Sequence, residues 1–299
     1  MTDENGFIER RFSAPDGLTL SARVYGEGIG DPLPAVCLPG LTRNARDFHG
    51  LALHLSRDTA RPRKVVAFDY RGRGRSAYDP DWRNYDARVE AGDVAAGWTA
   101  LGIARAAFIR TSRGGLLVFM LAAARPGAIA AVVLNDIGPV VEGAGLAGIR
   151  AYLKRMPKPA SFEEAARILR AANGAAFPAL GDADWERWAR AVYRDEGGRP
   201  VPDFDPNLLK TLKGIDFGRP LPVFWPQFMG LSAAPVLAIR GENSMLLSVD
   251  TLAEMARRHP RIETLTVAGQ GHAPLLETGD LPRRITRFLD AAEAGGSAG

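Results

Sequence analysis

The stretch FIRTSRGG, residues 108–115, decides which fold this sequence is expected to adopt. It completes the apolar run Ala106–Thr111, which is typical of a buried strand, and leads into Gly114–Ala124, which is apolar enough to form a helix beneath a sheet. A sharp turn from strand to helix exposes a serine hydroxyl and directs it at the helix N-terminus, whose unpaired N–H groups stabilise negative charge. The stretch therefore predicts Ser112 as a nucleophile. The alternative is that Ser112 only caps the helix.

On both sides of this stretch, short apolar runs alternate with segments of helical spacing. The first two predicted strands, Phe7–Ala14 and Leu18–Tyr25, form a hairpin around Pro-Asp-Gly, because Asp-Gly suits the left-handed conformations of tight turns. Later strands are apolar throughout and are separated by helices, which indicates a parallel sheet covered on both faces. The predicted fold class is therefore α/β. The later strands are Pro34–Leu38, Lys64–Asp69, Ala106–Thr111, Ala128–Asn135, Ala234–Arg240 and Ile262–Val267.

The alternation stops after Pro139 and resumes near the last quarter of the chain. In the intervening part, helical pieces such as Asp182–Tyr193 are joined by Pro- and Gly-rich connections, and no convincing strand occurs. We therefore predict a core formed by residues 1–138 and 232–299, into which residues 139–231 are inserted as a helical cap. Aromatic side chains of the cap are expected to line a substrate pocket, or else to form the core of the cap itself. They are Trp185, Trp188, Trp225 and Phe228.

Composition and charge place the chain among ordinary globular proteins. Its 299 residues are 46% hydrophobic and 24% charged, and the formal charge of +4 is spread out, without the basic block that indicates nucleic-acid binding. The single cysteine, Cys37, excludes an intramolecular disulfide and a Cys-rich zinc site, and no two histidines have ligand spacing, so no metal is expected.

The sequence also carries no sign of export or membrane insertion. The N-terminus lacks the apolar region of a signal peptide, and no run of about eighteen apolar residues occurs. By default we expect a cytoplasmic protein that acts on a small-molecule substrate and binds neither membrane nor nucleic acid. The sequence leaves the oligomeric state open.

A histidine and two backbone N–H groups complete the predicted site. His272 follows the last predicted strand, and its flanking glycines let the chain bring an imidazole over the edge of the sheet. An oxyanion hole needs backbone donors that face the developing charge, and the N–H groups of Leu41 and Arg113 are the natural pair. The stretch Arg71–Gly74 has neither the third glycine of a dinucleotide fingerprint nor the ending of a P-loop, and we interpret it as a structural turn.

With these motifs in order, the sequence resembles the α/β-hydrolase superfamily over nearly its whole length. The resemblance is closest to bacterial esterases, lactonases and cofactor-free haloperoxidases. It implies a mostly parallel sheet flanked by helices with an inserted cap, and a serine, a histidine and a carboxylate that cooperate without a cofactor. The motifs that carry the resemblance are Leu38–Gly40, Asp69–Ser76, Thr111–Gly115 and Gly271–His272.

Two positions depart from the superfamily's pattern. The elbow usually resembles Gly-x-Ser-x-Gly, but Arg110 stands where the first glycine is expected, so its side chain must point out of the turn or push the backbone aside, at about 1 to 3 kcal/mol. Relatives carry aspartate, the acid that orients the histidine, where this chain has Met245. Loss of that carboxylate typically lowers turnover about 10⁴-fold. Two such changes in one pocket also suggest an engineered site.

A substitute acid is available at Asp136, which ends the strand before the cap. Some members of the superfamily place their acid after that strand. The competing interpretation is that Asp136 caps or braces the hinge of the cap. Glu242 is a second candidate for the acid.

Three functions fit these observations. The first is a serine hydrolase of carboxylic esters, lactones or related acyl substrates, impaired by Arg110 and Met245, in which Ser112 attacks and His272 is general base and then acid. The second is a non-catalytic or engineered protein that binds a small ligand, with Arg110 as a cation for an anionic ligand. The third is a hydroxynitrile lyase or dioxygenase, because a fold does not fix a reaction.

Overall fold

The computed structural model describes residues 6–57, 60–216, 219 and 221–296, and its strands build one large sheet and one small hairpin. The strands are β1 (Phe7–Ser13), β2 (Thr19–Tyr25), β3 (Ala35–Leu38), β4 (Val65–Asp69), β5 (Ala106–Thr111), β6 (Ile129–Asn135), β7 (Tyr193–Glu196), β8 (Arg199–Pro202), β9 (Val236–Gly241) and β10 (Ile262–Val267). The large sheet has the order β1-β2-β4-β3-β5-β6-β9-β10. Its β1–β2 and β2–β4 pairs are antiparallel and its remaining pairs are parallel, so the predicted α/β fold class is confirmed.

Helices cover both faces of this sheet. Side chains alternate along each buried strand, so that in β5 Phe108 belongs to one core cluster and Ile109 to the other. The helices are α1 (His49–Arg57), α2 (Ala87–Ala100), α3 (Arg113–Ala124), α4 (Gly143–Lys154), α5 (Phe162–Asn173), α6 (Asp182–Val192), α7 (Trp225–Met229), α8 (Val249–Arg258) and α9 (Leu281–Gly296). Two of them, α1 and α9, pack on the face of Ile109, and three, α2, α3 and α8, pack on the face of Phe108.

The segment between β6 and β9 holds α4 to α7, and it also holds the hairpin β7–β8. The prediction that this part of the chain has no strand is therefore wrong. The strands are short and their apolar pattern is weak, because β7 carries three charged residues and β8 two prolines. The turn is made by Gly197 and Gly198, both at positive φ, where glycine is at no steric disadvantage. The division into a core and a cap at residues 139 and 231 stays a prediction.

The parallel strands bring four loops to one edge of the sheet. Their carboxyl ends point the same way, so the residues that follow β5, β6, β9 and β10 lie near one another. Ser112 follows β5, Asp136 follows β6, the loop with Ser244 and Met245 follows β9, and His272 follows β10. The segment 139–231 borders the same edge, since Gly145 of α4 lies against the backbone of Met245.

Candidate active site

Ser112 stands on a strained turn between β5 and α3. Its backbone has φ 50° and ψ −113°, a conformation that few residues other than glycine adopt. The sequence imposes this turn because a buried strand and an apolar helix must pack on each other with one residue between them. The Ser112 side chain makes no capping hydrogen bond to the helix. The alternative interpretation, in which Ser112 only caps α3, is therefore wrong.

His272 connects Ser112 to Asp136. Its Nε2 lies 3.1 Å from Ser112 Oγ, and its Nδ1 lies 2.7 Å from Asp136 Oδ2. An ionised carboxylate only accepts hydrogen bonds, so Nδ1 carries the proton donated to Asp136, and Nε2 is left to accept the proton of the Ser112 hydroxyl. This is the arrangement in which a serine hydroxyl is activated by a histidine whose tautomer is fixed by an acid.

Asp136 is held by hydrogen bonds from several directions. It is fully buried and at φ 54°, another uncommon conformation. The N–H of Gly241 donates to Oδ1 at 2.8 Å, and the hydroxyl of Ser244 donates to Oδ2 at 2.5 Å. Ser244 Oγ itself accepts the N–H groups of Leu246 and Leu247, which turns its proton toward Asp136. The carboxylate therefore has one orientation, facing His272.

The loop after β9 contributes Ser244 to this arrangement and leaves Met245 outside it. The Met245 side chain is 68% exposed. Glu242, the other candidate acid, accepts the N–H of Gly269 at 2.8 Å instead of contacting His272. The sequence gives no indication of a role for Ser244, because a single serine before Met245 matches no motif. Its contact with Asp136 can be expected only once β6 and β9 are known to be neighbours.

Arg110 lies inside the protein, in neither of the two positions expected of it. Its guanidinium is fully buried 5.0 Å from the Phe119 ring centre, and Nη1 donates to the carbonyl of Gly115 at 2.7 Å. Room for the guanidinium exists because Gly115 has no side chain, and a Cβ there would lie 3.2 Å from that Nη1. The expected clash across the elbow is therefore absent.

The same burial leaves the Arg110 charge without a counter-ion among the described residues. Its Nε and Nη2 have no hydrogen-bond partner there. Burial lowers the pKa of this guanidinium well below its ordinary value. Arg110 is not among the residues that line the cavity above Ser112, so it cannot present its charge to a ligand in that cavity.

Two residues with backbone N–H groups that are unpaired in the described part of the chain line the same cavity as Ser112. Leu41 and Arg113 both line the cavity that reaches the serine, and within the described residues neither N–H donates a hydrogen bond. Gly40 lies beside Ser112, since a Cβ on it would be in ordinary van der Waals contact with Ser112 Cβ, at 3.8 Å. Free donors beside a nucleophile are what an oxyanion hole requires.

The cavity above Ser112 has a volume of about 980 Å³ and mostly apolar walls. Trp188 lines it, as expected. The prediction is wrong for Trp185, Trp225 and Phe228, which do not line it. Trp185 packs with Phe177 in a separate core cluster, and the other two pack against one another and against α3.

One face of α4 supplies much of the wall that sequence reasoning missed. Leu146, Ile149 and Leu153 line the cavity at helical spacing. Leu212 and Leu275 add to the wall.

Every helix in the described residues is too short or too polar to cross a membrane, and no group of three or more His, Cys, Asp or Glu residues there could hold a metal ion.

Comparisons with known proteins agree with this fold. A family model described as alpha/beta hydrolase fold matches residues 34–278, and the chain therefore belongs to this family. It is similar to 3-hydroxybutyrate-oligomer hydrolase of Cupriavidus necator, with 30% identity over 90% of this chain and 92% of the relative. It is also similar to 2-(acetamidomethylene)succinate hydrolase of Mesorhizobium japonicum, with 28% identity over 95% of this chain and 96% of the relative.

A solved structure gives the same result at the level of the fold. The crystal structure of an alpha/beta hydrolase from Novosphingobium aromaticivorans superimposes with a TM-score of 0.88, at 37% sequence identity, over 97% of this chain and 99% of that chain. The names of these relatives support hydrolase activity in this chain.

Proposed function

We propose that this protein is a serine hydrolase of carboxylic esters or related acyl compounds, with Ser112, His272 and Asp136 as its catalytic residues. The observation that carries the proposal is the pair of hydrogen bonds from His272, one to Ser112 at 3.1 Å and one to Asp136 at 2.7 Å. A buried, fully hydrogen-bonded carboxylate in this position holds the imidazole in its working tautomer and stabilises the imidazolium that forms.

The reaction follows from these positions. Ser112 Oγ attacks the acyl carbon while His272 Nε2 takes its proton, and the negative oxygen of the tetrahedral intermediate is stabilised by the N–H groups of Leu41 and Arg113. His272 then gives the proton to the departing alcohol, which leaves an acyl group on Ser112. Water, deprotonated by the same imidazole, releases the acid and restores the enzyme.

The cavity supports a small, largely apolar acyl substrate. Its volume of about 980 Å³ is at the upper end of ordinary small-ligand sites. The walls from α4 and Trp188 can bury a hydrocarbon chain, whereas Arg43 and Asp47, which also line it, pair with each other. A 3-hydroxybutyrate oligomer, for which one relative is named, is held together by ester bonds and belongs in the substrate panel.

Hydrolysis of p-nitrophenyl esters from acetate to decanoate tests the proposal. We expect turnover by the wild type and loss of at least about 10³-fold in kcat for Ser112→Ala, since the nucleophile is removed while the oxyanion donors remain. Ser56→Ala, a serine at the end of α1, is the matched control and should retain activity. Equal activity in wild type and Ser112→Ala would reject the proposal. No turnover in either, together with saturable binding of an ester analogue, would favour the small-ligand-binding alternative.

A further inference from the structure

A buried ionic cluster lies beside the proposed oxyanion hole. Glu90 of α2 accepts a hydrogen bond from Arg73 Nη1 through Oε1 and from Arg113 Nε through Oε2, each at 2.6 Å. The side chains of Glu90 and Arg73 are fully buried, and that of Arg113 is 15% exposed. Arg73 belongs to the stretch Arg71–Gly74, which from the sequence alone is interpreted as a structural turn.

This cluster contacts both backbone segments that would supply the oxyanion donors. Arg73 Nε donates to the carbonyl oxygen of Leu41 at 2.9 Å, so it holds the residue whose N–H is one of the two proposed oxyanion donors. Arg113 is the residue directly after Ser112, and its own N–H is the second donor. One carboxylate, Glu90, therefore connects two segments that are 72 residues apart in the chain.

Further contacts fix each arginine in one orientation. Arg73 Nη1 also donates to the carbonyl of Arg71 at 2.6 Å, and its guanidinium lies 5.5 Å from the Tyr85 ring centre. Arg113 Nη2 donates to the carbonyl of Tyr85 at 3.0 Å. Burial alone would raise the pKa of Glu90, but the charges of Arg113 and Arg73 outweigh it and hold that pKa below its ordinary value. Glu90 is therefore ionised at neutral pH.

We propose that Glu90 is a positioning residue of the oxyanion hole, which holds the N–H groups of Leu41 and Arg113 at the spacing that the tetrahedral intermediate requires. The inference rests on the proposed function. It follows from the general requirement that oxyanion donors be fixed before charge develops, because donors that must reorganise during the reaction stabilise the transition state less.

The same helix offers a matched control. Asp93 lies one turn after Glu90 on α2 and forms a buried, two-bond ion pair with Arg71, at 2.7 and 2.6 Å. Arg71 comes from the same loop as Arg73, but its side chain contacts Asp16, Asp79 and Asp93 and neither donor segment. Glu90→Gln and Asp93→Asn thus each remove one negative charge from a buried ion pair on α2, although Arg71 keeps the carboxylates of Asp16 and Asp79 after the second change.

The test compares kinetics of these variants and of Arg73→Lys, which keeps the charge but replaces the two guanidinium nitrogens that donate to Leu41 and Glu90 with a single ammonium nitrogen. For Glu90→Gln we expect kcat to fall about 10- to 100-fold while KM stays within about threefold, since only transition-state contacts change. Affinity for an alkyl trifluoromethyl ketone, which forms an oxyanion on the serine, should fall in parallel. Arg73→Lys should show the same split, and Asp93→Asn should keep kcat within about threefold.

Several outcomes would overturn the inference. One is that Glu90→Gln and Arg73→Lys both keep wild-type kcat and ketone affinity; another is that Asp93→Asn loses as much as they do, which would make the effect one of general stability. Either result, with an active wild type and an inactive Ser112→Ala, leaves the proposed function intact. Absence of turnover in the wild type would overturn the proposed function and this inference together.

Discussion

At the scale of single residues, Asp136 is the position on which the proposed function depends. From the sequence, Asp136 is either a substitute acid or a residue that braces the hinge of the cap. The order of residues alone does not show that the end of β6 lies against the loop after β10. In the structure Thr111 pairs with Asn135, so the residues that follow them, Ser112 and Asp136, start from neighbouring strand ends. The buried carboxylate then meets His272 and Ser244 at hydrogen-bond distance.

Replacing this carboxylate tests the assignment of the acid. For Asp136→Asn we expect kcat to fall about 10⁴-fold with the fold intact, because an amide no longer fixes the imidazole tautomer or stabilises its charged form. Ester hydrolysis measures the loss and circular dichroism the fold. Glu242→Gln is the matched control, and a comparable loss in that variant would contradict the assignment.

Restoring the superfamily's usual residues should bring no benefit. Met245→Asp, alone or with Arg110→Gly, is expected to leave kcat at or below the wild-type value, because Asp136, the proposed acid, already contacts His272 and because Arg110 does not line the cavity. The readout is kcat on the same esters. A gain of about tenfold or more would show that Met245 had impaired the enzyme and would support the idea of an engineered site.

At the scale of secondary-structure elements, β5 is unusual because it contains a buried arginine, Arg110. A buried guanidinium with one hydrogen bond, at Gly115, costs more than an apolar side chain of similar length. The strand tolerates this guanidinium because Gly115 leaves space for it beside α3 and because the face of the Phe119 ring attracts its positive charge. This explains how the elbow forms without the usual glycine.

Substitution of that arginine should make the protein more stable. For Arg110→Met we expect the free energy of unfolding to rise by about 1 to 4 kcal/mol, as when a buried charge gives way to an apolar group of matching volume. Arg63 is the contrast, because it is equally buried but paired with Asp290 and Glu293, so Arg63→Met should lower stability. Urea unfolding measures both, and a loss of stability in Arg110→Met would contradict the account.

The sequence predicts most elements of the sheet because buried parallel strands are predominantly apolar, as in β3 and β6. It also predicts that Ser112 and His272 belong to one site, since each stands where the chain leaves the sheet. It does not predict the hairpin β7–β8, whose strands are polar and proline-containing. Nor does it distinguish Trp185 from Trp188, which lie three residues apart on α6 but face a core and a cavity respectively.

At the scale of the whole molecule, the cavity lies between the edge of the sheet and the segment 139–231. The two parts are joined by polar contacts: Arg46 binds Asp203, and Tyr85 binds Asp205. The apolar face of α4 forms one wall over Ser112. Size and shape of the accepted acyl chain should therefore be set by α4 more than by the sheet.

A large side chain on α4 tests this role. Gly148 lines the cavity, and a Cβ on it would meet no atom within 4 Å. Gly148→Trp should therefore fold normally and reduce kcat/KM for long esters about tenfold or more, while sparing acetate, because it narrows the space for a hydrocarbon chain. Gly92→Trp on α2, equally unobstructed but outside the cavity lining, is the control. An unchanged chain-length profile would contradict the assignment of this wall.

The most direct test of the central claim is covalent labelling of Ser112 by an alkyl fluorophosphonate. The reagent reacts with a serine only where a base activates the hydroxyl and donors accept the developing charge. We predict one phosphonate per wild-type chain, located by peptide mass spectrometry on Ser112, with labelling at least about 10³-fold slower in Asp136→Asn. Absence of label on Ser112 in folded wild-type protein, or equal labelling rates in the two proteins, would contradict the claim that Ser112, His272 and Asp136 act as one catalytic unit.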